Sequence, residues 1–433
     1  MPFHLLERKG HRMGHSIASQ CNPVEQLLQR VRQAASQLAH SDLKQRNDAL
    51  KAAAKALLQY EPEILAANAQ DIAEAKVSDA FKDRLTLNPS RLEAMAKGLE
   101  AIAELPDPLG KIQAKWVRPN GLKIRRVTVP LGIIGMIYES RPNVGADAAG
   151  ICLKSGNGLI LRGGSESYRS AQAIHKAMQQ GIQTSGLNPD VIAMAPSSDR
   201  EHVTHILHAV GQIDVLIPRG GKSLIEFVQR ESRIPVLAHA AGLCHTYIHK
   251  AADFDMARKI IANAKMRRTG ICGATETLLI DQEIASQLLP KIVKDLSALG
   301  CRFLGNDQAR QIIPDMKIAT EKDFATEWLD AVLSVAVMKD IHQALEHIAH
   351  YGSGHTEAII TEDESIAMQF LNSTESAVVI WNASTQFCDG GEFGFGAEIG
   401  ISTGRLHARG PVGIDQLVSY HYEIFGKGQV RPL

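Results

Sequence analysis

The chain has 433 residues, which is too long for one ordinary hydrophobic core and predicts two or three domains. Lys and Arg together number 47, as do Asp and Glu, so no excess charge indicates a nucleic acid or membrane partner. The six cysteines contain no C-x-x-C pair and no run of 18 apolar residues occurs, which argues against a disulfide scaffold and a membrane span and favours a reducing, cytoplasmic location.

The N-terminal part of the chain predicts an extension, a set of helices and a hairpin, in that order. Residues 1–22 include Glu7, Arg8, Lys9 and Arg12 and lack the apolar centre of a signal peptide, so we expect a disordered extension. Apolar residues recur at helical spacing over 23–104. Residues 112–129 are typical of a β-hairpin that turns at Pro119-Asn120-Gly121. Because a lone hairpin is marginally stable, we expect it to pair with another element, such as a second subunit.

Strand and helix patterns alternate through the rest of the chain. Such alternation indicates βαβ crossovers and parallel sheets, and the economical interpretation is two α/β domains in succession. The expected strands are 133–137, 159–161, 191–194, 215–217, 236–237, 276–280, 331–338, 357–361 and 376–381, and the expected helices include 166–180, 221–230, 253–266 and 283–298.

Two glycine turns each follow an expected strand and precede an expected helix. They are Arg162-Gly163-Gly164 and Gly220-Gly221, and no G-x-G-x-x-G accompanies them. Backbone N–H groups at a helix N-terminus bind anions, so both turns are candidates for a cofactor phosphate. The alternative is that they are tight connections without a ligand.

Cys272 is the candidate nucleophile. The cationic residues Lys265, Arg267 and Arg268 precede it, and positive charge favours the reactive thiolate. The alternative is a buried small apolar residue, which is the interpretation we give to the other cysteines. The glycine-rich segment 382–411 is typical of loops that line binding clefts. Four histidines in loops of small residues are interpreted as structural hydrogen-bonding groups: His239, His245, His355 and His407.

Several blocks of sequence, taken together, resemble one family. In chain order they are Pro130-Leu131-Gly132, Tyr138 to Val144, Leu153 to Asn157, Leu161 to Gly164, Ile217 to Gly221, Asn263-Ala264-Lys265 with Cys272, Asn382 to Gly391, and Leu406 to Pro411. Over about residues 23–420 the chain resembles the γ-glutamyl phosphate reductases, also called glutamate-5-semialdehyde dehydrogenases, of the aldehyde dehydrogenase superfamily.

This resemblance implies an α/β fold of the aldehyde dehydrogenase type. It implies a Rossmann-like cofactor domain at 23–111 and 130–248, an α/β catalytic domain at 249–404, and a small β oligomerisation element at 112–129 and 405–433. It also implies a reaction, in which NADPH reduces γ-glutamyl phosphate to glutamate 5-semialdehyde and phosphate through a thioester on Cys272. That reaction is the second step of proline biosynthesis from glutamate.

The resemblance further implies roles for individual residues. The residues expected to bind NADPH are Arg162 near the adenosine ribose, with Gly163 and Gly164 in its turn, then Gly220, Gly221 and Ser223 at the pyrophosphate, and Glu327 at the nicotinamide ribose. The residues expected to bind substrate are Ser140 or Asn143 at the oxyanion, and Arg141 and Arg409 at the anionic groups, with Arg405 as an alternative to Arg409. No metal is expected.

One departure from the wider superfamily bears on the reaction. Hydrolytic aldehyde dehydrogenases carry a glutamate base in a loop that here reads 237–242, where no carboxylate occurs and His239 stands near that place. The alternatives are a hydrolytic NAD(P)-dependent aldehyde dehydrogenase, a non-catalytic protein of the same fold, and a fragment of a fused kinase–reductase. The expected partners are the small-molecule substrate, further copies of the chain and, as a contact, glutamate 5-kinase.

Overall fold

The computed structural model describes residues 23–139, 141–239 and 241–432, so the expected extension at 1–22 lies outside the described residues. Within these ranges the helices are α1 (Pro23–Ala39), α2 (Leu43–Gln59), α3 (Glu61–Glu74), α4 (Asp79–Leu85), α5 (Pro89–Glu104), α6 (Val144–Lys154), α7 (Tyr168–Thr184), α8 (Arg200–Leu207), α9 (Lys222–Glu231), α10 (Phe254–Met266), α11 (Gln282–Ser297), α12 (Asp307–Ile312), α13 (Glu321–Phe324), α14 (Ile341–Tyr351) and α15 (Glu364–Ser373). Short 3₁₀ turns lie at Ser165–Ser167, Pro189–Val191 and Thr385–Phe387.

The strands of the same ranges complete the element order. They are β1 (Ile112–Val117), β2 (Lys123–Pro130), β3 (Ile133–Tyr138), β4 (Gly158–Arg162), β5 (Ile192–Met194), β6 (Val215–Arg219), β7 (Cys244–Ile248), β8 (Thr275–Asp281), β9 (Arg302–Gly305), β10 (Lys317–Ile318), β11 (Val332–Met338), β12 (Thr356–Ile360), β13 (Val378–Trp381), β14 (Ile401–Ser402), β15 (Gly410–Pro411) and β16 (Val418–Phe425). The predicted strands and helices are confirmed, except that Val236 forms an isolated bridge with Leu216 rather than a strand.

A four-stranded parallel sheet in the order β5-β4-β3-β6 forms the first α/β layer. Apolar side chains alternate between its faces: Ile134 and Met136 point to α2, α5, α6 and α7, whereas Ile133 and Ile137 point to α1, α8 and α9. The crossover helices therefore change face between β3 and β6. In such doubly wound sheets ligands bind at the carboxyl ends of the strands beside this switch point.

A seven-stranded parallel sheet in the order β10-β9-β11-β8-β7-β12-β13 forms the second layer. One face packs on α10, α11 and α12 and the other on α13, α14 and α15. Because β7 pairs in this sheet, a domain boundary near residue 243 fits the pairing better than the expected one at 248. The division into domains itself stays a prediction.

The predicted hairpin is confirmed as β1 and β2, and its turn places Gly121 at a φ of 85°, where glycine is favoured. Its further partner is β16 of the same chain, which pairs antiparallel with the whole length of β2. The sheet leaves large apolar side chains exposed, among them Val117 and Ile424. In the described part of the chain, no helix has the length and apolar content needed to cross a bilayer.

Candidate active site

Cys272 lies in the loop between α10 and β8, at the amino end of the second sheet, and is partly exposed. The loop that leaves the first sheet passes directly against it, because a Cβ built on Gly242 would meet the Cys272 carbonyl oxygen at 2.2 Å and its Cα at 2.6 Å. Only glycine at 242 permits this approach. Gly242 lies two residues before β7, so this contact joins the loops that lead into β7 and β8. Arg219, the last residue of β6, also interacts electrostatically with Cys272, which brings the carboxyl edge of the first sheet near the sulfur.

A buried ion pair holds the Cys272 loop from behind. Lys265, at the end of α10, donates to the Glu276 carboxylate of β8, and both side chains are fully buried. The other carboxylate oxygen of Glu276 accepts from the Leu329 N–H at 3.1 Å. Burial raises the pKa of Glu276 to about 7, against the opposing effect of Lys265. The pair thus ties the nucleophile loop to the segment that carries Glu327.

Glu327 lies on the same cleft. Its Oε1 accepts from the Gly242 N–H at 2.8 Å, and burial raises the pKa of its carboxyl group against the attraction of Lys222 at the start of α9. Glu327 also interacts electrostatically with Cys272. It therefore connects the glycine turn before α9 with the nucleophile.

Two imidazole rings lie near the Cys272 sulfur. A ring nitrogen of His239, a ring nitrogen of His355 and the Cys272 Sγ all lie within 4.8 Å of one another. Burial lowers the pKa of His239, and burial together with His239 lowers the pKa of His355 to about 3. Both rings are therefore neutral near pH 7, and His239 is the better proton acceptor of the two because the pKa of His355 is lowered to about 3. The sequence favoured structural roles for both histidines, and nothing in their local sequence indicated that they meet.

The Cys272 side chain is protonated at neutral pH. Burial raises the pKa of Cys272 to about 12, and the positive charge of Arg219 acts in the opposite direction. The cationic neighbours noted in the sequence are engaged elsewhere, since Lys265 pairs with Glu276 and Arg267 contacts Gln386. The chemically relevant cation is Arg219, which sequence analysis placed in a family block without a role.

Arg219 belongs to a group of like charges. Burial, followed by Arg219, Arg84 and Arg268, lowers the pKa of the Arg141 guanidinium. Arg219 also interacts with Glu398, whose carboxylate accepts from the Gly390 N–H at 3.0 Å. Guanidinium groups gathered beside a nucleophile are suited to phosphate and carboxylate groups, which they bind through paired hydrogen bonds.

The expected phosphate turns lie at the carboxyl ends of β4 and β6. Gly221 caps α9, and its N–H donates to the Glu139 carboxylate at 3.1 Å, so this helix end already accepts an anionic group. Gly220 approaches Glu139 so closely that an added Cβ would lie 2.5 Å from its Oε2. Ser223 is exposed in the first turn of α9. A dinucleotide pyrophosphate at this helix end would take the place of the Glu139 carboxylate at the Gly221 N–H.

The other turn surrounds Arg162. Its guanidinium donates to the Ser198 carbonyl at 2.7 Å, while its Nε is buried and without a partner among the described residues. Burial lowers the pKa of Arg162, and a second cation, Arg200, acts in the same direction. Gly163 packs against the Tyr138 ring, which a Cβ would approach to 3.1 Å, and Gly164 precedes the turn Ser165–Ser167.

The remaining residues expected to bind substrate contact side chains or carbonyl groups other than those at Cys272. Asn143 donates to the Asp147 carboxylate at 3.0 Å, and burial raises the pKa of Asp147 to about 6. Arg409 donates to the backbone carbonyl of Glu375, whose carboxylate pairs with Arg405. Ser140 lies outside the described residues. Of the expected residues, the structure brings Glu327 to Cys272 and holds Arg409 against Glu375. Arg141 and the Gly220-Gly221 turn are related to Cys272 through Arg219, which interacts with Arg141 and directly precedes the turn.

Comparison with known proteins identifies a family. The model of the aldehyde dehydrogenase family matches residues 8–313 of the chain. The γ-glutamyl phosphate reductase of Gluconobacter oxydans is 62% identical over 94% of this chain and 96% of that protein. That of Acidiphilium cryptum is 60% identical over 93% and 96%. The crystal structure of γ-glutamyl phosphate reductase from Thermotoga maritima superposes with a TM-score of 0.93 at 41% identity, covering 94% of this chain and 100% of the other.

The chain, with its two parallel sheets and its cysteine between them, therefore belongs to the aldehyde dehydrogenase family. Members of this family are oxidoreductases that bind NAD(P). Within that family the chain belongs to the γ-glutamyl phosphate reductases. The resemblance and the fold class expected from the sequence are thus confirmed.

Proposed function

We propose that this enzyme reduces γ-glutamyl phosphate to glutamate 5-semialdehyde with NADPH, releasing phosphate, as the second step of proline biosynthesis from glutamate. The observation that carries the proposal is the convergence of a thiol, neutral imidazoles and several guanidinium groups at the cofactor edge of the first sheet. An acyl phosphate substrate needs each of these groups.

The first chemical step is attack of the Cys272 sulfur on the acyl carbon. The S–C bond forms, the C–O bond to phosphate breaks, and the glutamyl group becomes a thioester. Because burial keeps the thiol protonated, a base must take its proton as the bond forms. His239 is neutral, and a ring nitrogen of it lies within 4.8 Å of the sulfur, so a small approach or one bridging water lets it take this proton. His355 is the weaker base, because its pKa is lowered to about 3.

The arginine group holds the anionic ends of the substrate. Arg219 interacts electrostatically with Cys272, so a phosphate at the scissile bond lies within its reach, whereas Arg141 extends the same positive surface. The negative charge that leaves with phosphate is stabilised there. Arg409 remains an expected substrate residue, and its contact with Glu375 gives it a fixed position.

The cofactor residues are those expected from the sequence. Gly220, Gly221 and Ser223 would hold the pyrophosphate at the start of α9, and Glu327 would hold the nicotinamide ribose beside Cys272. When bound, the reduced nicotinamide supplies the hydride to the thioester carbon. The Arg162 guanidinium interacts with the carboxylates of Glu166 and Glu139 and with Arg200. Its role towards the 2′-phosphate of NADPH rests on the family resemblance and on its buried Nε, which has no partner among the described residues.

The assembly of the enzyme is also a proposal. The sheet β1-β2-β16 exposes apolar side chains that soluble surfaces rarely gather, which supports its role as the contact between copies of the chain. Contact with glutamate 5-kinase and the cytoplasmic location stay predictions from the sequence.

The test runs the reaction in reverse, with glutamate 5-semialdehyde, NADP⁺ and phosphate. We expect Cys272→Ala to lose all NADP⁺ reduction while it unfolds in urea like the wild type. Cys301→Ala, which removes a thiol buried under the second sheet, is the matched control and should keep its rate.

Phosphate separates the proposal from the hydrolytic alternative. Wild-type NADP⁺ reduction should stop when phosphate is omitted, because phosphate is the group that releases the glutamyl thioester in this direction. Reduction that continues without phosphate and yields glutamate would show that water takes this role and would overturn the proposal.

A further inference from the structure

Three side chains at the nucleophile form a set of soft metal ligands. The Cys272 Sγ and one ring nitrogen each from His239 and His355 lie within 4.8 Å of one another. His355 has no exposed surface, and its Nε2 has no hydrogen-bond partner among the residues that the structure describes. A fully buried nitrogen left without a partner beside a thiol is an unusual and costly arrangement.

Both imidazoles are oriented as metal-binding histidines are. His239 Nδ1 donates to the Ile401 carbonyl at 2.9 Å, because a carbonyl oxygen can only accept, so the lone pair is at Nε2. His355 Nδ1 contacts the Thr356 hydroxyl at 2.8 Å, which leaves its Nε2 as the remaining ring nitrogen. Histidine ligands usually have their other ring nitrogen engaged by a backbone or side-chain oxygen, which fixes the ring.

We propose that His239, Cys272 and His355 bind one soft divalent cation, with Zn²⁺ as the typical ion, and that the bound ion inhibits the enzyme. On binding, the thiol loses its proton to solvent and one S–metal and two N–metal bonds form. The metal-binding part stands on the side-chain geometry alone. The inhibition rests on the proposed role of Cys272, since a coordinated sulfur cannot attack an acyl phosphate.

The distances allow such a site after a small closure. With Zn–N bonds of about 2.0–2.1 Å and a Zn–S bond of about 2.3 Å, tetrahedral ligand atoms lie roughly 3.3–3.8 Å apart. The present separations of up to 4.8 Å therefore need to shrink by about 1 Å. Three protein ligands leave a fourth position, which faces the cleft and can hold water.

The ligand set also selects the class of ion. Thiolate and imidazole favour Zn²⁺, Co²⁺ and similar transition metals, whereas Mg²⁺ and Ca²⁺ prefer oxygen ligands. Cys244 does not add a fourth sulfur ligand, because its thiol donates to the Cys272 carbonyl at 3.1 Å. The site should thus respond to Zn²⁺ and Co²⁺ and ignore Mg²⁺.

The experiment titrates the untagged, metal-free full chain with Co²⁺ and records its absorption spectrum. We expect one equivalent to produce a thiolate-to-cobalt charge-transfer band, which Zn²⁺ abolishes and excess Mg²⁺ leaves unchanged. The band matters because the chain has 17 histidines, and imidazole sites elsewhere would lack it. In parallel, Zn²⁺ should inhibit turnover and a chelator should restore it.

Variants decide which residues bind the ion. Cys272→Ser should lose the band, and His355→Ala should weaken Co²⁺ binding by at least the roughly 10–100-fold that loss of a supporting group costs. His239→Ala, at a less buried position, serves where His355→Ala does not fold. His347→Ala removes another imidazole with an unpartnered buried nitrogen and is the control that should bind normally.

The outcomes separate this inference from the proposed function. The metal site is overturned by a cobalt spectrum without the thiolate band, by a band that survives in Cys272→Ser, or by Co²⁺ affinity that is unchanged in His239→Ala. None of these results affects the reductase activity. Binding of Co²⁺ without any inhibition by Zn²⁺ would instead overturn the inhibitory role.

Discussion

Gly242→Ala tests whether the loop leaving the first sheet sets the position of the nucleophile. The added methyl group would lie 2.2 Å from the Cys272 carbonyl oxygen and 2.6–2.7 Å from its Cα and carbonyl carbon. Carbon atoms in contact prefer about 3.5–4.0 Å, so one backbone must move by about 1 Å. Both partners are backbone atoms, and no side chain can rotate away to relieve the overlap.

The expected cost follows from that displacement. A shift of about 1 Å in a reacting group lowers turnover by roughly 10²-fold, which corresponds to about 2.7 kcal/mol of activation free energy. Overpacking should also lower the free energy of unfolding by about 1–3 kcal/mol. Because the Gly242 N–H donates to Glu327, the same movement disturbs a second residue of the site.

The assay compares kcat and the urea midpoint of Gly242→Ala with those of Gly270→Ala. Gly270 lies in the Cys272 loop, but a Cβ there has its nearest neighbour at 3.8 Å, an ordinary contact. The control should therefore stay within about twofold of the wild type in kcat, since surface changes of this kind alter stability by only about 0.5 kcal/mol. Equal turnover in the Gly242→Ala enzyme and the wild type would refute the reasoning, as would equal losses in both variants.

Four further substitutions or conditions test separate parts of the site. Arg162→Ala should lower the ratio of kcat/KM for NADPH over NADH by roughly 10-fold or more, because a charge-assisted hydrogen bond contributes about 1.5–3 kcal/mol; an unchanged ratio removes Arg162 from the selection. Arg219→Ala should lower kcat/KM for the acyl phosphate by a similar factor, and normal steady-state kinetics would contradict its role. Alkylation of Cys272 in the free enzyme should keep rising with pH through pH 9, because burial raises the pKa of its thiol, whereas a plateau near pH 7 would indicate an activated thiolate. Lys265→Met should destabilise the fold by about 3–5 kcal/mol in urea unfolding, because Glu276 is left buried without its cation, and adding Glu276→Gln should restore much of the loss.

The sequence was sufficient for most of the fold, for a physical reason. Strands buried on both faces, such as β8 and β11, appear as continuous apolar runs, and helices such as α10 show the helical period with a side-chain cap. The hairpin was visible through its Asn-Gly turn. Its third strand carried no local signal, because β16 lies almost 300 residues away, and only the family resemblance grouped 112–129 with 405–433.

Residues of the candidate site could be predicted from the sequence only where one short segment contains both the reactive or binding residue and its characteristic neighbours. Cys272 and the glycine turns each lie within such a segment. Arg219 and His355 do not, because their roles depend on which strand ends meet: Arg219 ends β6 of the first sheet, and His355 directly precedes β12 of the second. A tertiary contact between two sheets decides both. One family block includes Arg219 without giving it a role, and no block includes His355.

A neutral imidazole beside the Cys272 thiol explains how a buried thiol with a raised pKa can still act as a nucleophile. A thiol whose pKa is raised to about 12 is ionised in only roughly one molecule in 10⁵ at pH 7, which protects it from solvent oxidants but leaves it a poor nucleophile. An adjacent neutral imidazole removes that difficulty by accepting the proton only when the acyl carbon is in place. The same lone pairs beside the same sulfur are what a soft cation requires. Proton transfer and metal binding therefore share Cys272 and His239, whereas only metal binding also needs His355, so His355→Ala should lose metal affinity and keep the proton acceptor.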